Sequence, residues 1–356
     1  MLLGTGLKNI LPAGASGRYS KFDDRNQDGV ERQGGASRVS GHVLISTFES
    51  VALLLGIGAL GLWIMSRRIL PKEALGVLSI LALDIALPSL VFVNILQNFK
   101  PSEFPGWWLL PLWWVGLTVL LAGLTAAFSF ISGRETRREF AASLFFQNGL
   151  FFPLAILTGM FGSHSPYIVD LFFLMLFFPS LLFSTAHLFF KKSTEGLNWS
   201  KIINRVLIAT AAATALRLAG GEFLIPGFVV SALRMVGDMA LPLLMLILGG
   251  NMVVDFQAKG KLYPLEVVKF VLVKNALFPL VVLGGLMVVR PPYPVALLMI
   301  LQAAVPPVTA VPILTARAGG DRAIVNQFMF TSFAVSLVSI PLVMGLFGRI
   351  FQAYAP

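Results

Sequence analysis

The sequence predicts an all-α membrane protein of about ten transmembrane helices, arranged as two inverted five-helix halves with helices 4 and 9 broken, and three observations predict it. Hydrophobic residues make up 56% of the 356 and charged residues only 12%, where a soluble domain carries roughly 25% charge. Apolar windows recur along the chain, each near the roughly 20 residues that cross a bilayer. Two polar and proline motifs from the first half return in the second at almost one spacing.

Taken in order, residues 1–41 hold Gly, Ser, Asp and Arg in no apolar period. Their apolar patches at Leu2-Leu3 and Ile10-Leu11 are too short for a signal segment. A disordered tail is expected there, or an initiation site placed too far upstream. Five windows follow at Val43–Met65, Leu75–Gln97, Trp107–Ile131, Phe140–Phe161 and Ile168–Phe190. A polar stretch through Lys191-Lys192-Ser193-Thr194-Glu195 separates them from five more, at Trp199–Leu218, Phe228–Val254, Leu265–Val289, Val295–Leu314 and Ile324–Phe347. The expected halves are residues 42–192 and 193–350, with a C-terminal tail over 351–356.

Charge sets the orientation, because Lys and Arg in short loops stay on the cytoplasmic side. Loops after odd-numbered windows hold Arg67, Arg68 and Lys72, then Arg134, Arg137 and Arg138, then Lys191, Lys192 and Lys201, then Lys259 and Lys261, then Arg317 and Arg322. Loops after even-numbered windows hold little beyond Lys100, Arg217 and Arg290. Both termini are therefore expected outside, in the inner or plasma membrane. The net charge of +10 reads as topology rather than as a nucleic-acid surface. With no cysteine, disulfides, cysteine-ligated metals and thiol chemistry drop out, and the scattered His42, His164 and His187 suggest no metal cluster.

The repeat is specific in its order. Asp84-Ile85-Ala86-Leu87-Pro88 in the second window returns 154 residues later as Asp238-Met239-Ala240-Leu241-Pro242 in the seventh. Gln147 and Pro153 in the fourth return as Gln302 and Pro307 in the ninth, at offsets of 155 and 154. An odd number of spans per repeat forces inversion, and Pro-interrupted segments at matching places in inverted halves point to a transporter with a midplane site. A proline in a helix removes one amide donor and clashes with the carbonyl four residues back, so polar backbone is freed and must face protein, water or ligand. If the two broken segments cross at the bilayer centre, their amides make a small anion-attracting cavity.

At these residues the chain resembles the auxin efflux carrier family of membrane transporters, whose bacterial members include malonate and malate permeases. The resemblance rests on Leu87-Pro88, Asn148-Gly149 through Pro153 and Phe161-Gly162, Leu241-Pro242 through Gly249-Gly250, and Pro306-Pro307 before a serine-rich last window at Ser332, Ser336 and Ser339. It implies ten helices in inverted repeats, a scaffold and a crossing-helix transport domain that move in an elevator-like way, and both termini outside. The short join between the halves departs from the plant carriers, so auxin is not the expected substrate. A secondary transporter of a mono- or dicarboxylate is.

The expected substrate contacts are Asn148 first, then Gln147, Gly149, Pro153, Gln302, Pro306, Pro307 and Thr309, the prolines shaping the site rather than touching the solute. For Asn148 the competing reading is an amide bonded to a neighbouring helix. Asp84, Asp238 and Lys274 are the candidates for ion coupling, because charge inside a span is costly. Arg234, four residues before Asp238, is placed to pair with it, and Lys274 is expected to snorkel toward the loop of Lys259 and Lys261 rather than serve as a counter-ion. Glu49 is expected at the outer interface. No cofactor is expected beyond a coupling proton or sodium ion, and the partners are the solute and the lipid, with a homodimer compatible with the sequence. A channel is the competing reading, and an intramembrane aspartyl protease using Asp84 and Asp238 a remote one; neither an enzyme motif nor a symmetric pore ring accompanies them.

Overall fold

A computed structural model of the protein describes residues 35–102, 105–185, 189, 205–256 and 261–352. Residues 1–34 of the expected N-terminal tail, the join from Lys191 to Lys201, Lys259 and the last four residues lie outside that set, while residues 35–41, expected in the tail, belong to the first helix. Every regular element among the described residues is helical, and the only strand-like pairing among them is a single antiparallel bridge between Gln147 and Pro307.

Among the described residues, six stretches are long and apolar enough to cross a membrane: Leu44–Ser66, Ala74–Asn98, Trp107–Ile131, Gly227–Val254, Pro264–Val289 and Arg322–Phe351. The first belongs to α1 (Gly35–Ser66). The second is α2, whose centre, Leu81–Ala86, is a π-helical turn. The third holds α3 (Leu110–Phe128) between two short 3-10 turns. These helices turn Val77, Ile80, Val119, Phe228 and Val288 outward, a surface that suits lipid and not water.

The fourth window is split into α4 (Arg137–Phe145) and α5 (Phe151–Phe161), as its proline predicts. The fifth is also split, into α6 (Pro166–Leu174) and α7 (Phe178–Thr185), which was not expected. The described part of the sixth is α8 (Arg205–Leu218). In the seventh, α9 (Gly227–Asp238) meets α10 (Ala240–Phe256) at Met239. The eighth is α11 (Pro264–Val289), with a second π-helical turn at Leu272–Leu277. The ninth breaks into α12 (Tyr293–Ala304) and α13 (Val311–Arg317), and α14 (Arg322–Gln352) ends the chain's described part.

Proline explains the irregular turns. Pro88, Pro242 and Pro279 lack the amide that would bond the carbonyls of Asp84, Asp238 and Asn275, four residues back. The helix widens instead: the Leu87 amide bonds Ala82 and the Phe278 amide bonds Val273, each five residues back. In the seventh window the irregularity falls at Met239, whose amide bonds the carbonyl of Val236, three residues back, at 3.2 Å.

Packing uses small residues, as expected where lipid supplies no hydrophobic drive between helices. α1 lies directly on α10, because a methyl group on Gly249 would stand 1.7 Å from the Gly58 carbonyl oxygen. α1 also packs against α5 and α14, α2 against α8 and α9, and α12 against α11 and α14.

Candidate functional site

The two broken windows cross at their breaks. The Asn148 amide donates to the Pro306 carbonyl at 2.8 Å, and the Val308 amide donates to the Phe146 carbonyl at 2.9 Å. These reciprocal bonds are the Gln147–Pro307 bridge. The local sequence dictates them: Pro153 and Pro312 cannot continue a helix but are tolerated in the first turn of a new one, while Pro306 and Pro307 would clash with the carbonyls of Gln302 and Ala303. Extended backbone at this depth then has no water to satisfy it, and each segment satisfies the other.

A side chain locks the crossing. Gln302, fully buried, donates its Nε2 to the Gly149 carbonyl at 2.5 Å. Gly149 permits this approach, since a methyl group there would sit 2.0 Å from Gln302 Oε1. Pro153, Pro306 and Pro307 are buried around it, and Thr309 is half-buried in the turn before α13.

Several polar atoms at this crossing have no hydrogen-bond partner. They are Nδ2 and Oδ1 of Asn148, which is 1% exposed, and Oε1 of both Gln147 and Gln302. Leaving one such group unmade in a protein interior costs about 1–3 kcal/mol, so a cluster of them calls for an explanation that helix packing does not supply. The bland reading of Asn148, an amide bonded to a neighbouring helix, does not describe its side chain. The α5 amides of Phe151 and Phe152, in the first turn, also have no acceptor within their helix. The set combines amide donors with three carbonyl acceptors, which fits a carboxylate bearing a hydroxyl or amine.

A narrow cleft lined by Trp114, Thr118, Leu121, Phe145 and Phe178 reaches Gln147 from the side of α3, with free volume of about 10 Å³, room for about one water. The crossing is closed in this conformation to anything larger by that route.

The charged candidates fall elsewhere. Asp84, on the α2 π-turn, forms an ion pair with Arg205 at the start of α8, a partner sequence proximity could not reveal. Asp238 lies exposed at the end of α9. The expected pairing with Arg234 is not made: Arg234 Nη2 donates to Gln97 on α2 instead, because Gly237 lets α9 lie against Leu90, with a methyl there only 2.8 Å from the Leu90 Cα. Glu49 is exposed.

Lys274 corrects a second expectation. It does not snorkel: it is 0% exposed, its Nζ has no hydrogen-bond partner, and the side chain runs along α11 to within 5.4 Å of the Phe278 ring centre, away from the Lys261 end. Beside it, Asn275 Nδ2 donates to the Ser332 carbonyl at 3.1 Å and to Ser339 Oγ at 3.3 Å, and Ser332 Oγ donates to Asn275 Oδ1 at 2.8 Å. The serines of the last window thus hold α11 to α14.

Sequence reasoning missed other buried polar atoms. Ser143 Oγ on α4, Thr315 Oγ1 on α13 and both side-chain atoms of Asn326 on α14 have no hydrogen-bond partner. So did it miss Asp170 on α6, which is 1% exposed and engaged by a partner. Each is a polar residue inside an apolar window, and that signal alone would have flagged it.

Comparison with known proteins adds two findings. The family described as membrane transport protein matches residues 46–344. An uncharacterized transporter of Saccharomyces cerevisiae is 29% identical over 97 residues, covering 27% of this chain. The match spans 21% of that yeast protein's length.

Proposed function

We propose, on the premise that this chain belongs to the membrane transport protein family, that of the auxin efflux carriers, that it carries a small organic anion through a site at the helix crossing. Family membership makes it a multi-pass membrane transporter of a small solute. The finer reading is ours: a secondary carrier of a mono- or dicarboxylate, built as ten helices in two inverted halves, with alternating access in an elevator-like manner.

One observation carries it. Asn148 sits buried at the break, with both side-chain polar atoms unbonded, next to the first-turn amides of α5. A carboxylate there would accept from the Asn148 amide and from the N-terminal end of that helix, where the backbone dipoles favour negative charge. The closed cleft beside Gln147 agrees with a carrier that exposes its site by moving rather than with an open pore. Asp84, Asp238 and a coupling proton or sodium ion remain part of the proposal as candidates for coupling, and the Asp84 pair with Arg205 supports a structural share for that residue.

The test is thermal unfolding of the purified protein against mono- and dicarboxylates, with and without sodium and across pH, in wild type and in Asn148→Ala. A ligand at 100 times its Kd stabilises the folded state by about 2.7 kcal/mol. Stabilisation by an anion, weakened at least tenfold in apparent affinity by Asn148→Ala while the apo protein stays folded, is the expected outcome. Anion stabilisation that Asn148→Ala leaves unchanged removes the site from the crossing.

A further inference from the structure

We infer that Lys274 is the fixed positive charge of the crossing site, so that the solute binds there as a singly charged anion. The inference rests on the proposal above that the crossing takes an anion.

Ring contacts place Lys274 at the level of the crossing. Phe328 on α14 packs against Phe140 on α4, before the break, with ring centres 5.5 Å apart. Phe333, little more than one turn further along α14, packs against Phe152 on α5, after the break, at 5.1 Å. The α14 residues between them therefore run alongside the break, and Ser332 is one of them. Ser332 is the residue that Asn275 holds by two hydrogen bonds, so the neighbouring Lys274 stands at that same level. The parallel run of α4 and α11 agrees: Thr136 lies 3.5 Å from Glu266 and Phe140 packs on Phe270, each pair one turn nearer the crossing than the last.

No described charge bonds it: its Nζ has no hydrogen-bond partner, and the buried Asp170 on α6 is engaged by another group. On α11 itself, Glu266 and Lys269 lie nearer its start and pair with each other at 2.8 Å. α12 carries no charged residue, α5 carries none, and α14 carries only Arg322 and Arg349, at its two ends. α4 has charge in its first three residues alone, and Glu139 there accepts from the Asp321 amide at 3.0 Å. A buried ammonium without a counter-charge is a standing cost unless a ligand supplies one. One cation matched by one anion leaves the loaded site neutral, the state that crosses a low-dielectric layer most easily. A dianion would leave one charge uncompensated, and a neutral solute would leave the ammonium unpaired.

Malonate, succinate and phthalate, each used as the diacid, its monoamide and its diamide, present charges of two, one and none in nearly one shape. Their affinities for the full-length protein, from ligand-induced thermal stabilisation at neutral pH, separate charge from fit. In each series that binds, the monoamide is expected to bind most tightly. Lys274→Met is expected to weaken the monoamide roughly 10- to 100-fold and to leave the diamide unchanged, with Lys274→Gln as a second variant that keeps a polar end. Asn148→Ala is expected to weaken every member. A wild type that prefers the dianion, or a Lys274→Met protein with unchanged discrimination, overturns the inference while leaving the anion site standing. A wild type stabilised by no anion in these series or in the wider carboxylate panel overturns both.

Discussion

At the scale of single residues, the crossing depends on one missing side chain. Gly149 leaves the space that the Gln302 amide fills, with Met175 Cε also 2.7 Å from where a methyl would sit. Gly149→Ala should therefore push Gln302 off the Gly149 carbonyl, abolish uptake and lower stability by about 1–3 kcal/mol, the cost of a buried bond lost and a packed space overfilled. Adding Gln302→Ala, which clears the clash, should restore part of the stability; thermal unfolding of the single and double variants measures both. A fully stable Gly149→Ala protein would contradict this role. Asn148 and Gln302 could be placed at the helix breaks from sequence because each precedes a proline in an apolar window. Lys274 could not be placed, since its distance from a basic loop along the helix says nothing of which way the side chain turns.

At the scale of elements, proline decides where helices stop and where they only widen. Breaks in the fourth and ninth windows were legible because Pro153, and Pro306-Pro307 together, each remove an amide donor and clash with the carbonyl four residues back. The π-turns were not legible, because Asp84 was weighed as a charge and not as the owner of the carbonyl that Pro88 leaves free. The second π-turn, at Leu272–Leu277 before Pro279, follows the same rule and sets how Lys274 meets its neighbours. Pro279→Ala restores the missing donor, so α11 should close to a regular helix, gaining about 1–3 kcal/mol of stability. Uptake should fall at the same time, because Lys274 turns off the inner face. A variant that is more stable and transports at the wild-type rate would mean that the π-turn is only a tolerated defect. The split of the fifth window at 175–177 falls just before Pro179, whose ring would clash with the Met175 carbonyl four residues back, a signal the windows of apolar composition alone do not show.

At the scale of the whole molecule, the protein turns apolar side chains outward and gathers the unbonded amide groups of Gln147, Asn148 and Gln302 at one crossing inside. The membrane character and the family were legible in composition and in the order of short motifs, and the charge asymmetry of the loops gives the expected orientation. Contacts between windows distant in sequence, such as Asp84 with Arg205 or α4 with α14, were not, because apolar windows of similar composition do not encode which of them touch. A carrier that alternates must present this crossing to each side of the membrane in turn. The chain has no cysteine, so Thr309→Cys places a lone thiol in the turn at the break without any other change. Its modification by a membrane-impermeant thiol reagent, added from either side of sealed vesicles, measures access directly. The account predicts labelling from both sides, slowed in each case by a transported anion. Labelling from one side only, or at a rate no anion alters, would contradict a moving anion site at the crossing.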